Sequence, residues 1–168
     1  MTESILDTYI MSLFDRGFHT AYDLHVHGKV SLGSSVPALK RLESDGVIIR
    51  KANANGERKI RNTFQLTATG KKIVGPRAVG LLASDPPSDV DSILRMVDMF
   101  RVYHASPKAI AEFLTRATTV RASLIKSSAS FPTDPTPGLE YLANKKDWDV
   151  ARLRAEMKFL SQLARSTT

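Results

Sequence analysis

The chain contains no cysteine and only one tryptophan among its 168 residues. Without thiols there are no disulfides, no thiolate metal sites and no cysteine nucleophile. Long apolar runs are also missing. None approaches the roughly 20 residues that span a bilayer as a helix, so no membrane partner is expected. The first residues do not read as a secretory leader, because Glu3 and Asp7 interrupt them and no cationic segment precedes an apolar block. The expectation from these absences is a cytoplasmic protein that folds without staples. Catalytic signatures are lacking too: there is no GxSxG, Walker, HExxH or paired-carboxylate pattern, and the acidic residues read as helix caps and ion-pair partners, so no enzyme is expected. His25 and His27 would point about 200° apart on a helix, and His19 and His104 are scattered, so neither a metal nor any other cofactor is expected.

What the sequence does have is positive charge. The net charge is +7 and the isoelectric point is near 9.8. Residues 1–75 hold eleven Lys and Arg against seven Asp and Glu, and the remainder holds thirteen against ten. The excess is spread along the chain rather than confined to a tail, and such a surface favours polyanions.

Periodicity divides the first half into short elements. Ile5, Leu6, Tyr9, Ile10, Leu13 and Phe14 form one apolar helical stripe, ended by Gly17. Thr20 with Asp23 is a capping-box pattern that opens a second helix to about His27. A third helix follows over residues 32–44. On a wheel centred on Leu39, the residues Leu32, Ser35, Val36, Leu42 and Glu43 lie within about 60°, while Gly33, Ser34, Pro37, Lys40, Arg41 and Ser44 lie on the far side. The inner face is therefore expected to be apolar and the outer face slim and cationic. After Gly46, residues 47–51 read as a strand, Asn55-Gly56 as a hairpin turn, and residues 58–66 as the returning strand with Ile60, Phe64 and Leu66 inward. Thr67 caps a helix to about Val74. Three helices, a basic-tipped hairpin and a helix make a winged helix-turn-helix, whose third helix enters a DNA major groove.

The second half is helical. Residues 75–89 read as a connector. Ser88 with Asp91 opens a helix to about Tyr103, and Ser106-Pro107 opens another to about Ser128. A proline-rich loop spans residues 131–138, and a last helix runs over 139–164 with a break near Asp147. Trp148, near the start of that helix, reads as a core or dimer anchor. Stripes this continuous on so small a unit favour association with a second copy.

Residues 30–48, Val30-Ser31-x-Gly33-Ser34-x-x-Pro37-Ala38-Leu39-Lys40-Arg41-Leu42-Glu43-x-Asp45-Gly46-Val47-Ile48, resemble the recognition-helix signature of the PadR family of bacterial transcriptional regulators. Gly17, Tyr22-Asp23-Leu24 and Leu66-Thr67-x-x-Gly70-Lys71 match flanking motifs of that family. Residues 151–160 are similar to the helical dimerisation domain of its longer, virulence-activator-like subgroup. Ser35 and Val36 depart from the pattern, which usually has an apolar residue and a tyrosine there, and Phe64 lies near another usual tyrosine.

The fold class expected is mainly α with a small β-hairpin. It comprises a winged helix-turn-helix over 1–75, a connector over 76–87 and a helical dimerisation domain over 88–168. The resemblance implies a homodimer on a palindromic operator in double-stranded DNA, acting as a repressor. DNA contact is assigned to Ser31, Gly33, Ser34, Ser35, Pro37, Lys40 and Arg41 of the third helix, and to Arg58, Lys59 and Arg61 of the wing. Dimer contact is assigned to Phe100, Leu114, Leu124, Leu153, Met157 and Leu160. A small-molecule effector, of chemistry the sequence does not identify, is the remaining expected partner. The alternative is a winged-helix adaptor that binds an acidic protein and no specific DNA.

Overall fold

The computed structural model describes residues 4–52, 62–129 and 140–167. The chain opens with α1 (Ile5–Asp15), capped by Ser4 and closed by Gly17 at φ +92°. α2 (Ala21–Val26) starts from the Thr20–Asp23 capping box: Asp23 N donates to Thr20 Oγ1 at 3.0 Å and Thr20 N donates to Asp23 Oδ2 at 2.9 Å. α3 (Leu32–Ser44) follows, and Gly46 at φ +68° turns the chain into β1 (Ile48–Ala52), a left-handed backbone that only glycine adopts cheaply. β2 (Asn62–Leu66) returns antiparallel, with Ile48 opposite Leu66 and Arg50 opposite Phe64. Phe64 and Leu66 face inward as expected. The hairpin turn, Ile60, Arg58, Lys59 and Arg61 lie outside the described residues, as does the proline-rich loop over 131–138.

α4 (Ala68–Gly80) packs on α1 and β2. Thr67 joins it to the start of β1: its Oγ1 accepts from Gly70 N at 3.0 Å and donates to Gly46 O at 2.9 Å, while Thr67 N donates to Val47 O at 3.0 Å. The approach is so close that a Cβ on Gly70 would sit 2.2 Å from Val47 O. The expected connector is therefore corrected in part. Residues 76–80 continue α4 through Pro76, and a 3₁₀ turn (Leu81–Ala83) follows. Pro76 removes one helical donor, but buried Ala78 and Leu81 hold the last turns by packing.

Three helices complete the chain: α5 (Val90–Val102), α6 (Pro107–Ala129) and α7 (Glu140–Arg165). Asp89, not Ser88, caps α5, accepting from Ser92 N at 2.7 Å. Ser106 caps α6 as expected, accepting from Ala109 N. α7 runs without the break expected near Asp147.

The chain forms two compact units. One takes everything up to Leu81 together with Arg95–Tyr103, and the other takes Leu82–Leu94 with His104–Thr168. This differs from a boundary at residue 88, because the second half of α5 groups with the first unit. That unit buries Ile10, Leu13, Phe14, Leu24, Leu39, Leu42, Ile48 and Phe64, with Phe14 stacked on Phe64 at 6.0 Å between ring centres. In the same unit the Tyr103 hydroxyl donates to Asp15 Oδ2 at 3.1 Å. Burial, and then the Asp15 carboxylate, push the Tyr103 phenol well above the ordinary tyrosine range. A phenol held neutral in the fold but free to ionise in the unfolded chain stabilises fully below the unfolded pKa of about 10 and less above it. Stability should therefore fall as pH rises past about 10, and Tyr103→Phe should flatten that fall in urea melts taken across the alkaline range. An unchanged slope in the variant would assign the alkaline loss to other groups.

In the second unit α6 packs along α7, burying Ile110, Phe113, Leu114, Ala117, Leu153 and Leu160. Arg121 lies in the middle of this core at 0% exposure. Its Nε donates to Glu156 Oε2 at 2.8 Å, its Nη1 to Ala117 O at 3.2 Å and its Nη2 to Ser88 O at 3.0 Å. Glu156 also accepts from Arg152 Nη1 at 3.2 Å.

Candidate nucleic-acid interface

α3 is held from behind and bare in front. Its buried side is Ser35, Ala38, Leu39 and Leu42, set against α1, α2 and β1. Its exposed side carries Ser31, Gly33, Ser34, Pro37, Lys40, Arg41 and Ser44, so every residue of this helix and its cap that was assigned to DNA, but one, lies in solvent. The exception is Ser35, which is wholly buried and donates its Oγ to Leu32 O at 3.2 Å. Its assignment to DNA is corrected: the hydroxyl is spent inside the helix's own first turns.

The wheel needs a second correction. Leu32 is 55% exposed and Val36 49% exposed, although both were placed inward. Burial centres between Leu39 and Ala38, which leaves Val36, about 60° to the other side of Leu39, in solvent. Leu32 is the first helical residue and overhangs the core.

At the N-terminal end, Ser31 Oγ accepts from Ser34 N at 3.1 Å and donates to Ser34 Oγ at 2.8 Å. The N–H groups of Leu32 and Gly33 have no carbonyl one turn behind them and face outward, as at any helix start. A Cβ built on Gly33 would meet nothing within 4 Å. The two cations of α3 differ. Arg41 donates from Nε and Nη2 to the two carboxylate oxygens of Asp7 at 3.1 and 2.7 Å, a forked pair that raises its pKa further. Lys40 is exposed and has no ion-pair partner among the described residues. Arg50 of β1 donates to Glu43 at 3.0 Å and lies 5.4 Å over the Phe64 ring, tying the end of α3 to the hairpin.

Between α2, α3 and the hairpin lies an open cleft of about 900 Å³, lined among others by Tyr22, Val36, Lys40, Arg50 and Asn62. Tyr22 is 69% exposed. Tyr22 and Arg50 were not singled out from the sequence as surface residues. The Tyr22-Asp23-Leu24 motif and the period-two pattern of β1 were the signals available.

A bare, cationic third helix with a hairpin beside it settles the architecture. This is a winged helix-turn-helix.

No protein-family model matches the chain, and no curated protein matches it. Among solved structures, the winged helix and its helical extension are similar to Bacillus subtilis PadR in complex with operator DNA, at 17% identity over 100% of both chains and a TM-score of 0.45. They are also similar to the PadR-like transcriptional regulator BC1756 from Bacillus cereus, at 13% identity over 99% of this chain and 97% of that one, with a TM-score of 0.41. Bacillus subtilis PadR in complex with p-coumaric acid is similar at 16% identity over 98% and 99%, with a TM-score of 0.39.

The residues assigned to dimer contact fare unevenly. Phe100, Leu114, Leu153 and Leu160 are buried within a single chain and are corrected to core residues. Leu124 and Met157 are half-buried. Trp148 is no core anchor: it is 61% exposed, with Lys145 and Arg152 over its ring at 5.7 and 5.4 Å. Among the described residues no cluster of ligating side chains could hold a metal ion, and no helix is long and apolar enough to cross a membrane.

Proposed function

We propose that the winged helix is the DNA-binding part of a transcriptional regulator, with α3 as the helix that enters the major groove. The observation that carries this reading is the exposed face of α3: a slim first turn with outward N–H groups, followed by Lys40, a cation with no ion-pair partner among the described residues. Outward N–H groups and a small side chain suit a phosphate at the helix start, and a cation about two turns further on suits a base edge or the next phosphate. Arg58, Lys59 and Arg61 of the wing are proposed to meet the flanking backbone.

The regulator is further proposed to act as a homodimer on a palindromic operator, repressing by occupancy. Two copies would place their α3 helices in grooves about 34–36 Å apart. The half-buried Leu124 and Met157, with exposed Trp148 and Phe159, are among the apolar side chains of the second unit proposed to meet a partner copy.

The test is a salt titration with random duplex DNA, followed by selection from a random pool. Affinity should fall steeply with salt, and a palindromic sequence should emerge. Absence of binding at low salt would instead favour the adaptor. On the selected duplex, Lys40→Ala should cost about 1–3 kcal/mol of affinity while leaving thermal unfolding unchanged. Arg41→Ala should cost less, because its guanidinium is already committed to Asp7. Wild-type affinity of Lys40→Ala in a gel-shift titration would remove this face from the interface.

A further inference from the structure

The apolar side chains on the binding face ask for a partner of their own. Leu32, Val36 and Lys40 follow one another at successive turns of α3, and Val36 and Lys40 share the cleft wall with Tyr22 and Arg50. A cationic helix face has no need of two half-exposed aliphatic side chains unless what it meets is itself partly apolar. In the major groove, the apolar feature that distinguishes base pairs is the 5-methyl group of thymine; the other edges present donors and acceptors. Val36 stands four residues, about 6 Å along the axis, before Lys40, so the cation can engage a phosphate or purine while the valine meets the neighbouring base step.

We infer that Val36, flanked by Leu32, reads the 5-methyl group of a thymine in the operator. The inference rests on the DNA-binding reading above and adds to it a chemical preference at one base position. Lys40 at the same cleft supplies the positive charge that draws the duplex to this apolar patch rather than a neutral ligand or a second copy of the chain, while Arg50 is held by Glu43.

The experiment uses the full chain and the duplex selected from a random pool, with each thymine replaced singly by deoxyuridine, which lacks only the methyl. Wild-type protein should lose about fourfold in affinity at one such thymine in fluorescence anisotropy, the equivalent of one methyl-sized group left unburied. Val36→Ala should bind the unmodified duplex more weakly and show no further loss with uracil at that position. Equal wild-type affinity for every single-uracil duplex overturns the inference, while tight binding to the unmodified duplex leaves the regulator reading standing. Undiminished discrimination in both Val36→Ala and Leu32→Ala also overturns it, since the methyl is then read elsewhere. If no duplex is selected and Val36→Asp instead abolishes self-association in sedimentation, the patch belongs to a second copy and both readings fail.

Discussion

Glu156→Ala should destabilise the chain by about 3–5 kcal/mol, the range for stranding one partner of a buried ion pair. Arg121 has no route to water: it is fully buried, and its two terminal nitrogens each donate to a backbone carbonyl, Ala117 O and Ser88 O. Removing the carboxylate leaves a permanently charged guanidinium facing an apolar core, because arginine does not escape by losing its proton. The double replacement Arg121→Met with Glu156→Leu should recover most of the loss, since a buried pair exchanged for apolar side chains of similar volume is often neutral or better. Urea denaturation followed by far-UV circular dichroism separates the two variants. A loss below about 1 kcal/mol in Glu156→Ala would place the pair among ordinary surface bridges.

The next largest effect is expected at Gly70. An alanine there brings its Cβ to 2.2 Å from Val47 O and 3.1 Å from Leu66 Cδ2, and the first of these is backbone that cannot rotate away. Val47 O is also held by Thr67 N at 3.0 Å, so relief requires the start of α4 to move off the hairpin. Overpacking of this kind costs about 1–3 kcal/mol, and a backbone clash belongs at the upper end even after alanine's helix-propensity gain of about 1 kcal/mol. The same denaturation curves should show Gly70→Ala about 2–3 kcal/mol less stable than wild type. A neutral result would mean that α4 slides along β1 without cost.

Most of the fold was legible because local chemistry and packing agree. The Thr20–Asp23 capping box, the Ser106 cap, the turn at Gly46 and the inward Phe64 and Leu66 are short-range features, and each occurs where the residues predict it. The readings that failed depend on what lies opposite. Gly75-Pro76 looks like a stop, yet Ala78 and Leu81 have a core to enter and the helix continues. Val36 and Leu32 carry the same apolar character as Leu39, and only the position of α1, α2 and β1 decides which of them is covered. Arg121 was missed although it continues the stripe of Leu114 and Ala117, at i+7 and i+4. A charge on an apolar stripe was the signal, and Glu156 was its partner on another helix. Arg41 and Lys40 look equivalent in sequence, and a carboxylate 34 residues away makes them different.

Gly33 shows where this protein spends stability. A glycine within a helix costs about 1 kcal/mol relative to alanine, and a methyl group there would touch none of the chain's own atoms. On the proposed DNA-binding reading, heat tolerance and grip on a duplex pull in opposite directions at this one position.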